Sequence, residues 1–126
     1  MGSFAKYVGG SPTNTAIGLA RLGLKSAVIT RVGADHMGRF VAEQLEREGV
    51  DTRAVRSDPD RLTALVILGI RDREQFPLIF YRENCADMAL ETADIDEELI
   101  ASSSAILVNG THLSTSSTYS ASFKAT

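Results

Sequence analysis

Of the 126 residues, one is cysteine, none is tryptophan and three are proline. A lone Cys85 cannot close an internal disulfide, and no clustered Cys and His residues offer a metal-ligand spacing, so neither a disulfide scaffold nor a metal site is expected. A reducing cytoplasm fits that usage. A basic excess is missing as well: 13 Lys and Arg stand against 16 Asp and Glu, a formal net charge of −3, which gives no field for a phosphate backbone. Nucleic acid is therefore not an expected partner. Long apolar runs are also absent. Residues 64–70 and 105–108 are the longest, far short of the roughly 20 needed to cross a bilayer, and no membrane partner is expected. Residues 1–8 carry one lysine and no apolar core, so they do not read as a secretory signal. What remains, 44% hydrophobic and 23% charged, is the composition of one globular domain.

Ser11 followed by Pro12 predicts a helix start, with Ser11 as cap, over about 12–22. Ile17 and Ala20 supply its apolar side, and Gly23 stands where a left-handed C-terminal residue is expected. Residues 26–32 predict a strand through Val28, Ile29 and Val32. Met37, Phe40, Val41 and Leu45 recur at helical spacing and predict a second amphipathic helix ending at Gly49. The period then changes. Residues 64–70 and 78–82, joined by a polar loop, predict a β-hairpin. Asp94 with Glu97 resembles a capping box opening a third helix that buries Ile95, Leu99 and Ile100, and residues 105–108 predict a buried parallel strand. Helix and strand thus alternate at both ends with a hairpin between them, an α/β domain decorated by a small β-layer. Ligands in such sheets collect at the carboxyl ends of strands, which draws attention to residues 33–38 and 109–114.

Three segments could carry chemistry. Gly9, Gly10 and Asn14 flank a helix N-terminus, where glycines admit a ligand to the backbone and a neutral amide suits sugar hydroxyls; a tight structural turn is the alternative. Residues 33–38 have the glycine spacing of a phosphate loop, but Arg39 and Phe40 replace its Lys and Ser or Thr, so a P-loop is excluded and Asp35 is expected to cap the second helix. Tyr81 and Arg82 end the hairpin, where a ring and a guanidinium could clamp a polar, negatively charged ligand, or could simply face solvent at an edge strand. His36 and His112 have no companion at nucleophile or zinc spacing and read as surface or polar-network residues; Cys85 reads as a small filler.

Taken together, Gly9-Gly10-Ser11-Pro12-Thr13-Asn14-Thr15-Ala16, Gly23 and Gly33 resemble the N-terminal signature of the PfkB (ribokinase-like) carbohydrate kinases, and residues 32–38 resemble that family's next block. Residues 76–90, FPLIFYRENCADMAL, are similar to the branch of the family acting on 5-dehydro-2-deoxygluconate in bacterial myo-inositol breakdown. The resemblance implies a ribokinase-like three-layer α/β/α fold, here partial, with an inserted β-sheet lid roughly within 52–84. It implies sugar contacts from Gly9, Gly10 and Asn14, from Tyr81 and Arg82 at the acid end of the sugar, and from Thr111 beside Asn109 and Gly110. The family's lid is often a dimer contact, which implies a homo-oligomer.

The family's catalytic aspartate lies in a Gly-Ala-Gly-Asp motif that occurs nowhere between Met1 and Thr126, so no catalytic residue is assigned. ATP and Mg²⁺ are expected as cofactors, held mainly by a C-terminal half outside residues 1–126, and the chain is expected to be a truncated, inactive piece of the kinase. Residues 114–126, a run of Ser, Thr and Ala without a visible cap, fit a chain cut inside an element. The leading expectation is a sugar kinase for a small sugar acid. Another keto-deoxy-gluconate or fructose-type kinase and a non-catalytic sugar-binding or dimerisation module remain open, whereas a dinucleotide-binding domain does not fit, since no G-x-G-x-x-G follows a strand.

Overall fold

The computed structural model describes residues 2–126. Helix α1 spans Ser11–Arg21, strand β1 Thr30–Gly33, helix α2 His36–Arg47 and strand β2 Val55–Asp58. Strands β3 (Leu65–Leu68) and β4 (Leu78–Tyr81) follow, then short 3₁₀ turns at Ala86–Ala89 and Thr92–Asp94, helix α3 (Glu97–Ala101), a third 3₁₀ turn at Gly110–Leu113 and helix α4 (Ser116–Ala125). Strands β1 and β2 pair in parallel, with Thr30 opposite Val55 and Gly33 opposite Asp58, and a bridge from Ala27 to Asp51 extends the pairing. The intervening α2 is the crossover that a parallel pair requires.

Consecutive extended residues face opposite ways, and this chain uses both faces. Val28 packs with Ala16, Leu45 and Val50, which puts α1 and α2 on one side of the sheet. Ile29 packs with Leu90, Ile95 and Ala121, so the segment around α3 and α4 covers the other. This is the α/β/α layering the sequence predicts. Arg31, next on the Ile29 face, reaches Asp94 through Nε at 2.7 Å and Nη2 at 3.1 Å, and Asp58 through Nη1 at 3.4 Å. The aspartates raise its pKa, Asp94 foremost by hydrogen bonding, so the guanidinium stays charged while it ties β1 to β2 and to the 92–94 turn.

The hairpin is antiparallel as predicted, Leu65 opposite Tyr81 and Leu68 opposite Leu78, and it forms a sheet separate from β1 and β2. Its base is fastened at two points. Leu62 O accepts the Ala86 N–H at 2.9 Å, and Thr63 accepts the Gly33 N–H through Oγ1, also at 2.9 Å.

Several local expectations need correction. Gly10, not Ser11, is the N-cap of α1, and no side chain caps that end; the Ser11 hydroxyl instead reaches Asn109. Gly23 does take the left-handed conformation, φ 84°. Asp94 does not open α3. It closes a capping box with Glu91 around the 92–94 turn, while Asp96 caps α3 by accepting from Leu99 N. Residues 105–108 are not a strand, and Ile106 and Leu107 are exposed. An apolar run becomes a buried strand only when neighbours satisfy its backbone on both sides, and among the described residues no strand pairs with this one.

Candidate functional site

Loop and helix geometry bring two of the predicted segments together. Gly10 holds φ 94°, a region open to glycine, and turns the chain into α1. Thr13, buried beneath it, donates its hydroxyl to Gly9 O and to Gly10 O. The first turn of α1 keeps its own N–H groups clear of any side-chain cap, and Asn14 stands exposed on that turn. Ser11 Oγ donates to Asn109 Oδ1 at 3.2 Å, which ties the start of α1 to the residue that precedes the turn Gly110–Leu113. Thr111 is exposed and uses its carbonyl to accept from Ser114.

Arg82 leaves the end of β4 and forms an ion pair with Asp87, Nε to Oδ2 at 2.6 Å, with 24% and 22% of the two side chains exposed. Asp87 lies on the turn Ala86–Ala89, and that turn is tied to the start of α4: Thr115 and Ser117 both donate hydroxyls to Met88 O. His112 precedes Thr115 by three residues and is half-buried, and burial lowers its pKa, with Asp87 pulling upward and Arg82 downward. Tyr81 is 56% exposed and its side chain has no hydrogen bond among the described residues.

The Arg82–Asp87 pair is incomplete. Arg82 Nη2 and Asp87 Oδ1 are both buried and without a hydrogen-bond partner. Asp87 is a partner of Arg82 that sequence reading missed. The run from Arg82 to Asp87 contains both charges, but a spacing of five residues is no local motif, and His112 acquires its neighbours only through tertiary packing.

The loop 33–38 serves structure. Asp35 Oδ1 accepts from Met37 N and Gly38 N, both at 2.8 Å, as an N-cap, and Oδ2 accepts from Thr63 N at 2.8 Å. Those amides are therefore taken, and the loop does not fit a nucleotide phosphate. Nor does any group of three His, Cys, Asp or Glu side chains stand ready for a metal ion among the described residues. A recess of about 290 Å³ is lined by Arg31, Arg56 and Arg61 against Asp58, Asp60 and Asp94, so its charges balance, with Arg31 paired to Asp94 and Arg61 to Asp58. Cys85 is buried, which raises its pKa, in keeping with a filler role. His36 meets Arg39 at 3.0 Å on the exposed side of α2. Among the described residues no helix is long and apolar enough to cross a membrane.

Comparison with known proteins gives a consistent result. The family model described as pfkB family carbohydrate kinase matches residues 1–125. A 5-dehydro-2-deoxygluconokinase of Geobacillus kaustophilus is 44% identical over 98% of this chain and 37% of its own length. Among solved structures, an uncharacterized sugar kinase from Pyrococcus horikoshii superposes with TM-score 0.88 at 28% identity, over 97% of this chain and 40% of that one. A fructokinase from Vibrio cholerae, solved with fructose, ADP and calcium ion, matches with TM-score 0.77 at 30% identity, over 93% of this chain and 37% of its own. The chain spans little more than a third of the length of the curated relatives it matches.

Proposed function

Because the chain belongs to the pfkB family of carbohydrate kinases, we propose that it carries the sugar-binding half of an enzyme that moves a phosphoryl group from ATP to a hydroxyl of 5-dehydro-2-deoxygluconate. The observation that carries the substrate class is the guanidinium of Arg82 at the end of the lid strand, 24% exposed and charge-paired with Asp87. A planar guanidinium matches a carboxylate in charge and geometry. The names of the relatives support the same sugar acid.

In this reading Gly9 and Gly10 let the sugar approach the backbone, and Asn14 and Thr111 offer neutral donors and acceptors to its hydroxyls. Tyr81 and Arg82 cover the acid end from the hairpin. These groups bind and orient, fixing the acceptor hydroxyl, a contribution that depends on placement rather than proton transfer. ATP with Mg²⁺ would supply the phosphoryl group and charge neutralisation; the residues described here do not build that site, and no step is derived through it. The proposed division is residues 1–126 as a partial kinase domain with the lid roughly within 52–84, acting in the cytoplasm. The lid also serves as a contact with a second copy, a reading supported by Val66, Leu68, Leu78, Ile79 and Phe80, each 47–64% exposed on a two-stranded sheet.

The test is phosphorylation of 5-dehydro-2-deoxygluconate by a full-length kinase carrying this segment, against 2-keto-3-deoxygluconate and fructose. Preference for the first is expected; preference for fructose would overturn the substrate assignment. Asn14→Ala in that protein should raise KM about tenfold, the value of one or two net hydrogen bonds, with an unchanged melting midpoint. An unaltered KM would remove Asn14 from the site.

A further inference from the structure

The two ends of the lid hairpin are attached to the body differently. The first, residues 58–63, is held from several sides. Asp58 Oδ1 accepts from Asp60 N and Arg61 N, both at 3.0 Å, and Thr63 N donates to Asp35 Oδ2 at 2.8 Å. This end also lies directly against Gly33, where a Cβ would stand 2.6 Å from Arg61 O and 2.7 Å from Thr63 N. The second end, residues 82–86, is joined to the first by the Ala86 N–H on Leu62 O.

Between these ends the strands fall out of register. The ladder runs from Leu68 opposite Leu78 to Leu65 opposite Tyr81, and the next backbone bond joins Leu62 to Ala86. Three residues step along the first end where five step along the second, so the second end holds two residues more than an unbroken ladder would. A continued ladder would use Thr63 N opposite Glu83, but that donor is spent on Asp35. The surplus is taken up in a turn at Glu83 and Asn84. Asn84 holds φ 50°, the one positive φ outside glycine among the described residues, and asparagine is among the few residues that adopt it readily. Its exposed side chain accepts only a long contact, 3.4 Å, from Arg61 Nε. The arrangement is a bulge, a device by which a strand re-aims a side chain at its end.

Resting on the reading of a sugar kinase covered by this hairpin, we propose that Asn84 is a positioning residue for the sugar: its left-handed backbone turns the bulge that sets the direction of Tyr81 and Arg82. In an unbroken strand the pleat alone would place Arg82 on the face opposite Tyr81. Here the chain leaves the ladder after Tyr81, and Arg82 is aimed by the turn that follows it. With the first end fixed against Gly33, the bulge decides how the lid end meets a sugar. The acting element is the backbone of Asn84, not its amide.

The experiment measures KM for 5-dehydro-2-deoxygluconate, KM for ATP and kcat in a full-length kinase carrying this segment, with the melting midpoint alongside. Asn84→Val, a β-branched residue that resists positive φ, should raise the sugar KM about tenfold and change the ATP KM less than about twofold. Asn84→Gly takes the same φ freely and should recover most of that loss, although it has no side chain for Arg61. If Asn84→Val does not accumulate as folded protein, Asn84→Ala, with a smaller penalty, is read in its place. Equal losses in Asn84→Val and Asn84→Gly, or a rise in both KM values alike, overturn the inference. A lowered melting midpoint with an unchanged sugar KM does so too, since it describes a turn that only supports the fold. If the unsubstituted enzyme prefers fructose, the substrate assignment falls by itself, and the contrast between the two variants is read on fructose.

Discussion

Asp35→Ala is expected to destabilise the protein by about 3 kcal/mol, summing a lost N-cap of about 1 kcal/mol and the hydrogen bonds that Thr63 donates to a charged acceptor. One carboxylate holds three backbone N–H groups, those of Met37, Gly38 and Thr63, and the Thr63 hydroxyl at 3.0 Å. Burial alone would raise its pKa, but the Thr63 and Gly38 amides, the Thr63 hydroxyl and the Met37 amide outweigh burial and hold the carboxyl below its ordinary value. A depressed carboxylate stabilises the fold above its unfolded pKa, near 4, and loses that contribution as pH falls through the lower folded value. Urea unfolding of the full-length protein should show a lowered midpoint with unchanged slope, and the stability difference from the unsubstituted protein should shrink as pH falls below about 4. A difference within about 0.5 kcal/mol at neutral pH would mean that Asp35 only decorates the turn. The effect reaches the site because Thr63 precedes β3 by two residues, so the same carboxylate anchors the lid. Gly38→Ala should act in the same direction, since a Cβ there would collide with Gly33 O.

The capping half of that arrangement is legible in the sequence, and the anchoring half is not. Asp35 two and three residues before Met37 and Gly38 is a local pattern, and local patterns survive into the fold. Thr63 lies 28 residues further on, and nothing in its spacing announces the contact. The same division runs through the molecule. The hairpin and the two large helices follow from periodicity, whereas residues 105–108 read as a strand and are not one, because their pairing depends on neighbours rather than on their own apolarity. Gly9, Gly10 and Asn14 were proposed from residue type and Thr111 from the family resemblance, and the contact of Ser11 with Asn109, 98 residues apart, is one that no spacing announces. The pairing of Arg82 with Asp87 is no more legible, because a spacing of five residues is no local motif.

Arg82→Ala is expected to lower kcat/KM for 5-dehydro-2-deoxygluconate by about 100-fold and to change fructose turnover by less than about threefold. Loss of a charge-assisted contact to a carboxylate accounts for about 1.5–3 kcal/mol, which is one to two orders of magnitude. Arg82→Lys should recover only part of it, because an ammonium restores the charge without the planar pair of donors. Removing the guanidinium also strands Asp87, whose side chain is only 22% exposed, so a general loss of stability is a competing cause. The double variant Arg82→Ala with Asp87→Ala separates the two, since it contains no stranded carboxylate. If the double variant regains stability but still fails to discriminate acid from neutral sugar, the selectivity belongs to the guanidinium. Equal loss on both sugars in both variants would show that Arg82 supports the lid and does not read the substrate.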